Sequence, residues 1–363
     1  MIFGILTEQD DPRVASAPAT VKKMIAAGHV VMVQSGAGDR AFYSDQDFID
    51  AGAEIVSSGK ILTEAEVIVS HEPISSALMK ELKAGTILIS MFSPRSNPEV
   101  KSAFEASNLW AFSMDMIPRT SIAQSMDVLS STASLAGYRA VLVAAAQLPG
   151  YFPMLMTAAG TIPPAKVLIL GAGVAGLQAI ATSRRLGAKV EVFDVRAAVK
   201  EEVESLGAKF IEVAGAQEDQ AAGGYAITQT EEYQRKQRDL IHEHASKSDV
   251  IITTANIPGR KAPILIEQRT VEAMRKGSVI IDLAAATGGN CALTQNDQTV
   301  VHHDVSIIGN SLLAAGMSRD ASLLYSNNVW SFVQYVFKDG KDKVDFSNDI
   351  VSSTFLGKVP QTA

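Results

Sequence analysis

The chain has 363 residues, more than one hydrophobic core usually spans, so two domains are expected. With 47% apolar and 20% charged residues it reads as a compact globule, and a net charge of −7 argues against nucleic acid as a partner. A single cysteine, Cys291, excludes a disulfide framework and a thiolate metal cluster and fits a reducing compartment.

The N-terminus enters a strand-like run, Ile2 to Leu6, without the basic and apolar regions of a signal peptide. Short apolar runs then alternate with helical patterns. Val30–Val33 follows Gly28, Val67–Val69 follows an Ala/Glu-rich stretch, and Thr86–Ile89 follows Lys80–Gly85. Such alternation predicts a parallel sheet covered by helices. Ile122 to Leu148 reads as a long, Ala-rich, partly or wholly buried helical region. The 26 residues from Ala140 to Ala165 carry no charge, but Pro149-Gly150, Pro153, Gly160 and Pro163-Pro164 interrupt them. A lipid-exposed backbone must satisfy its own hydrogen bonds, so a buried helix followed by a packed loop is expected there and no transmembrane helix.

A second alternating block opens at Lys166–Leu170 and continues through Lys189–Phe193, Val250–Ile252, Ser278–Ile281 and Val305–Ile308, five strand candidates for a doubly wound sheet. A last helical piece, Ser322 to Phe337, has no sheet of its own and is expected to return to the first domain. The first strand of this block runs straight into Gly171-Ala-Gly173-Val174-Ala175-Gly176 and then an apolar helix. In a strand–turn–helix context Gly171 permits the tight turn, Gly173 lets the backbone approach a pyrophosphate, and Gly176 lets helix and strand pack closely. The helix N-terminus offers unpaired N–H groups to phosphate. Asp194, 23 residues after Gly171 at the end of the next strand, is placed to bind the ribose hydroxyls and repel a 2′-phosphate, selecting NAD over NADP. Arg196 stands close by and works against that selection.

Several stretches are more specific than this fingerprint: Ala123–Ser131, Leu135–Ala140, Met156–Thr161, Gly173–Ala179, Val203–Gly207, Gly277–Ala284 and Gly288–Cys291. They resemble the alanine dehydrogenase and transhydrogenase α-subunit superfamily, densely over 110–310 and loosely before. Within it, Arg119, Gln124 and Asp127 resemble the Arg–Gln–Asp loop that lies over the nicotinamide in transhydrogenases. The segment Glu212–Gln237, with Gly224 and Tyr225, resembles the loop that closes over NAD(H) in that family. The resemblance implies the NAD(H)-binding component of a proton-translocating transhydrogenase, passing hydride to NADP(H) on a partner domain beside a separate membrane part. Such a component is expected to be cytoplasmic, a homodimer, and peripheral to the inner membrane through its partners.

The architecture expected is α/β, two Rossmann-like doubly wound parallel-sheet domains with the first discontinuous: residues 1–130 plus 311–363, and 131–310. The dinucleotide is expected in the cleft between them. Its contacts are expected from Gly171, Gly173, Val174, Ala175, Gly176, Asp194, Val195, Arg196, Gly224, Tyr225, Thr254, Ala255 and Leu283. Gln124 with Ser130 or Tyr138 can orient the carboxamide, and Arg119 and Asp127 offer a charge pair; hydride transfer between nicotinamides needs no acid or base. From spacing alone, Arg119–Asp127 reads equally as a helix start with Ser121 as N-cap and a surface ion pair.

An alanine dehydrogenase is the alternative within the fold, and a non-catalytic NAD(H)-binding protein the alternative outside catalysis. By resemblance, alanine dehydrogenases carry a lysine in the segment matching Val69–Pro73 and a histidine at Phe92. This chain has neither, although Arg13 remains. His71 reads as a surface or loop histidine. Ala286, where the family usually has glutamate, and Asn310–Ala315 are departures near the ribose side of the site. His242 and His244 fall on different helix faces, His302-His303 lies at a strand edge, Cys291 is expected to be buried, and no metal is expected.

Overall fold

Two parallel sheets organise the chain in this computed structural model, which describes residues 1–213, 231–256 and 259–359. The first third runs β1 (Ile2–Ile5), α1 (Pro18–Ala26), β2 (Val30–Gln34), α2 (Asp45–Asp50), β3 (Glu54–Val56), α3 (Ser58–Glu64), β4 (Val67–Val69), α4 (Ser76–Met79), β5 (Ile87–Ser90), α5 (Glu99–Glu105) and β6 (Trp110–Ser113). These six strands pair in the order β3-β2-β1-β4-β5-β6, all parallel, which is the doubly wound order that starts at the centre and reverses once.

The strands are apolar on both faces because helices cover both. Phe3, Ile5, Val31, Val33, Val67, Val69, Ile87, Ile89 and Phe112 point to one side, whereas Met32, Ile68, Leu88 and Ala111 point to the other. Each fully buried side chain of this size contributes roughly 1.5–3 kcal/mol. Helix starts are set locally: Ser44 forms a capping box with Asp47 at α2, and Ser57 and Ser75 cap α3 and α4.

Helix α6 (Val128–Gln147) follows a short 3-10 turn at Gln124–Met126, so the helix starts later than the apolar run beginning at Ile122 suggests. By length and composition α6 is apolar enough to cross a membrane. It carries Arg139, and Ala140, Val141 and Ala144 are buried in the core beneath the second sheet, as in a core helix of a globular domain. The uncharged stretch after it holds an antiparallel pair, β7 (Leu155–Thr157) and β8 (Gly160–Ile162), where a packed loop is expected.

The second block runs β9 (Lys166–Leu170), α7 (Val174–Arg185), β10 (Lys189–Phe193), α8 (Lys200–Ser205), β11 (Lys209–Ile211), α9 (Glu231–Ala245), β12 (Val250–Thr253), α10 (Gln268–Glu272), β13 (Val279–Asp282), β14 (Thr299–His302) and β15 (Val305–Ile308). Its seven strands are ordered β11-β10-β9-β12-β13-β15-β14, two more than the five expected; only β14 is antiparallel. The same strand-centred order recurs, so both sheets are Rossmann-like.

The chain then enters α11 (Ser318–Val336) and α12 (Asp349–Thr354). Tyr325, Val329, Phe332, Val333 and Val336 of α11 pack in the first sheet's core, and Phe332 meets Phe112 edge-on at 5.4 Å. The compact units are Met1–Thr132 with Ala314–Ala363, and Ala133–Leu313.

Candidate functional site

At the carboxyl end of β9 the backbone turns through Gly171-Ala172-Gly173 into α7, and each glycine has a separate physical reason. Gly171 has φ +106°, and a Cβ there would lie 2.4 Å from Thr254 Oγ1. On Gly176 a Cβ would lie 1.9 Å from the Gly171 carbonyl oxygen, so strand and helix approach as only glycine allows. A Cβ on Gly173 would meet nothing within 4 Å. Gly173 is the N-cap of α7, supplies no side-chain cap, and no acidic residue follows in the first turn. The helix start therefore keeps its unpaired N–H groups and positive dipole end facing open space, with exposed Val174 beside it. Ala175 serves packing as well, since a Cβ on Gly137 of α6 would strike its carbonyl oxygen.

Asp194 follows β10 and is nearly buried, with 6% of its side chain exposed. Its Oδ2 accepts from Ala172 N at 2.7 Å, tying the acid to the glycine turn. Arg196 grips both oxygens, Nε to Oδ1 at 2.9 Å and Nη2 to Oδ2 at 2.8 Å, with its own N–H on Oδ1 at 2.8 Å. Ribose hydroxyls would have to share these oxygens with the guanidinium or displace it. The carboxylate's repulsion of a 2′-phosphate is correspondingly weakened, because the fork is bidentate. Val195, between them, packs partly buried on the core of α9 and β12.

Thr254 and Ala255 extend β12 toward the turn. Thr254 Oγ1 donates to Gly171 O at 3.0 Å, and Ala255 N donates to Asn290 Oδ1 at 3.0 Å. Asn290 in turn donates to Ala255 O and Pro263 O. Beneath it, the buried Asp282 carboxylate accepts from Thr253 Oγ1, Ala284 N, Asn290 N, Cys291 N and Thr294 Oγ1. Asn290 and Asp282 hold the rim that Leu283, partly buried, also lines; sequence reasoning did not single out either of them. The signal for them was Gly288-Gly289, with φ +102° and +79°, where a Cβ on Gly289 would press on Asp282 at 2.8 Å.

The Arg119–Ser130 segment belongs to the first unit and is described by itself. Arg119 and Gln124 are exposed, and Gln124 lies in the 3-10 turn. Asp127 accepts from Ser130 N at 2.9 Å and Ser130 Oγ at 2.6 Å, which caps the start of α6. The acid is thus engaged by Ser130, and Asp127 rather than Ser121 caps the helix. Tyr138 sits two turns along α6 and is 37% exposed. Gly224 and Tyr225 lie outside the described residues.

The matches to known families divide the chain as the sheets do. The family model "Alanine dehydrogenase/PNT, N-terminal domain" matches residues 4–136, and "Alanine dehydrogenase/PNT, C-terminal domain" matches residues 140–359. The chain belongs to the alanine dehydrogenase/PNT family. An NAD(P) transhydrogenase subunit alpha polypeptide of Rhodospirillum rubrum is 44% identical over 361 residues, covering 95% of this chain and 92% of that one. The NAD(P) transhydrogenase subunit alpha of Haemophilus influenzae is 40% identical, over 97% of this chain and 69% of its own length. A crystal structure of transhydrogenase from Sinorhizobium meliloti superposes with a TM-score of 0.89 at 40% identity, covering 98% of each chain.

In this member of the alanine dehydrogenase/PNT family, Arg13 is not available as a ready carboxylate receptor. It is buried and forks onto Asp11 through Nε, at 2.7 Å, and Nη2. His71 is also buried, 2% exposed, against the surface position expected of it. Its Nδ1 stands 3.5 Å from Asp11, its ring lies 4.6 Å from that of Tyr325, and its Nε2 has no partner among the described residues. Burial, with the charge of Arg13, pushes the imidazole down to about 3, so it is neutral at pH 7. Burial also pushes Glu8 up to about 7, although its carboxylate accepts from His71 N and Glu72 N. Burial alone would raise Asp11, but the hydrogen bonds and charge of Arg13 outweigh it and hold the carboxyl below its usual range. Phe92 is buried edge-on to Phe104 beside a mostly apolar cavity of about 530 Å³. Cys291 is buried as expected, its thiol pushed up to about 11.

Proposed function

We propose that this chain is the NAD(H)-binding component of a proton-translocating NAD(P) transhydrogenase. In this reading it passes hydride between its own NAD(H) and NADP(H) on a partner domain, with proton movement handled by a separate membrane part. The observation that carries the proposal is the glycine turn: Gly173 leaves an uncapped helix start facing open space, and Asp194 is tied to the same turn. The pyrophosphate would lie on the N–H groups of α7, and the adenosine ribose beside Asp194 and Arg196. Thr254, Ala255 and Leu283 would line the rest of the dinucleotide, and Gly224 and Tyr225 would cover it. Gln124, with Ser130 or Tyr138, would orient the carboxamide, and Arg119 and Asp127 would border the nicotinamide. Asp127 would have to loosen its cap on Ser130 to take part.

Hydride transfer then needs only two rings held in contact, because no proton moves with the hydride. This fits the state of the Arg13 cluster. A free amino acid would need an open cation and an acid–base group, whereas Arg13 is committed to Asp11 and His71 is neutral and enclosed. The chain would work as a homodimer, cytoplasmic and attached to the membrane through its partners. The β7–β8 hairpin supports the dimer, since Met156 and Ile162, with Tyr151 and Met154 before it, are exposed and suit a second copy of the chain.

The deciding experiment mixes the purified chain with an NADP-binding transhydrogenase domain and follows reduction of an NAD analogue by NADPH. Activity only in the mixture is expected. Oxidation of NADH by pyruvate and ammonia with this chain alone would replace the proposal with an alanine dehydrogenase.

A further inference from the structure

The seven-stranded sheet ends in a hairpin whose turn is unusual. Strands β14 and β15 are joined by His303 and Asp304, with φ +51° and +60°. A two-residue turn with both central residues left-handed normally uses Asn-Gly, because side chains beyond Cβ crowd the backbone there. Histidine is a poor choice for the bend itself. Its imidazole is, however, carried to a definite place, stacked on His302 with centroids 4.8 Å apart and planes inclined by 29°.

The third group comes from another element. Glu272, the last residue of α10, places Oε1 3.1 Å from His302 Nε2. The same oxygen accepts from Gln268 Nε2 at 2.8 Å, which steadies the carboxylate from the preceding turn of the helix. One donor atom from each of Glu272, His302 and His303 lies within 4.8 Å of the others. Among the described residues, no other three histidine, cysteine or acidic side chains converge in this way. The neighbouring cation Lys276 is held away by Asp304 at 2.9 Å, so it does not occupy the space between the donors.

We propose that Glu272, His302 and His303 form a binding site for a divalent transition metal of the zinc class. Two imidazoles and one carboxylate are a borderline donor set that suits Zn²⁺, and by general affinity order also Ni²⁺ and Cu²⁺, but not Mg²⁺ or Ca²⁺, which require mostly oxygen. Metal–ligand bonds of about 2.0–2.2 Å put tetrahedral donors roughly 3.4 Å apart, so the three side chains need only rotate inward. A fourth position is left to water. The site lies at the amino end of β15, opposite the carboxyl ends of the parallel strands that carry Gly171, Asp194 and Thr254. Metal there staples the β14–β15 turn to α10 without entering the nucleotide surface.

The test uses the full chain and ZnCl₂ alone, titrated in competition with a chromogenic zinc chelator, with Co²⁺ absorption reporting the ligand field. One metal per chain is expected, with visible bands of a tetrahedral or five-coordinate cobalt site. Glu272→Gln and His302→Asn should each weaken binding by at least about tenfold, as loss of a direct ligand requires. His303→Asn tolerates the left-handed turn, so it removes the ligand while keeping the hairpin. Zinc should also raise the Tm of the parent chain and leave that of the His302→Asn/His303→Asn double variant unchanged. Equal zinc affinity and stoichiometry in parent and double variant, or no zinc-induced rise in Tm in either, would overturn the proposal.

Discussion

Replacing Gly173 and Gly176 in turn by alanine separates a binding role from a packing role within one turn of the chain. At Gly173 the backbone angles, φ −80° and ψ −170°, suit any residue, and a Cβ meets nothing within 4 Å. Gly173→Ala should therefore fold normally, with ~0.5–1 kcal/mol lost for a poorer N-cap. The methyl group nevertheless stands where a pyrophosphate would approach the first N–H groups of α7. A weakening of NADH binding by at least about tenfold, or ~1.4 kcal/mol, is expected. At Gly176 the Cβ would sit 1.9 Å from the Gly171 oxygen, against a floor of 3.0 Å for real contacts, so α7 must move by about an ångström. Overpacking of that kind costs about 1–3 kcal/mol or more, a fall in Tm of roughly 2–12 °C for a domain of this size. Dihydronicotinamide fluorescence measures the first effect and calorimetry the second. Gly173→Ala binding NADH as tightly as the parent would remove phosphate from the turn, and Gly176→Ala keeping its Tm would remove the close strand–helix approach.

Three further outcomes follow from the same geometry. Glu8 holds its proton more tightly when folded, so its contribution is complete below about pH 4.5 and is lost as the pH rises to about 7, worth at most ~3 kcal/mol. His71, shifted the other way, opposes this by losing stability as the pH falls from 6.5 toward about 3; Glu8→Gln should flatten the rise-side loss in a Tm–pH series, and an unaltered profile would refute the assignment. The parent should bind NADH more tightly than NADPH, and Asp194→Asn should narrow that ratio by about tenfold in fluorescence titrations; tighter NADPH binding by the parent would make Arg196 the dominant group. Gln124→Asn should leave NADH affinity nearly intact and slow hydride transfer in the mixed complex, because positioning matters there more than affinity; a parental rate would make the loop structural.

Four strands that escaped sequence reasoning share one property: β3, β6, β11 and β14 are the four edges of the two large sheets. Edge strands are covered on fewer sides and need less apolar sequence, so Glu-Ile-Val and Lys-Phe-Ile give little pattern to read. Central strands such as Lys166–Leu170 and Lys189–Phe193 were legible to the residue because they are buried on both faces. The hairpin β7–β8 was hidden by its prolines and by the absence of charge around it. Of the candidate site, the glycine turn was legible for a different reason: its demands are on the backbone, and they fall within six consecutive residues.

What the sequence determined by itself was therefore whatever depends on short-range geometry: central strands, the uncapped start of α7, and an acid at the end of β10. What only the tertiary structure decided was the partner of each charge. Glu8 reaches the backbone at His71 and Glu72, Asp282 gathers the rim around Asn290, and Glu272 meets His302 because sheet and helix bring distant segments together. Even Asp194 and Arg196, two residues apart, needed the folded turn to reveal that the guanidinium occupies both carboxylate oxygens. Burial and rotamer choice set such pairings, and both are properties of the packed chain, not of residue spacing.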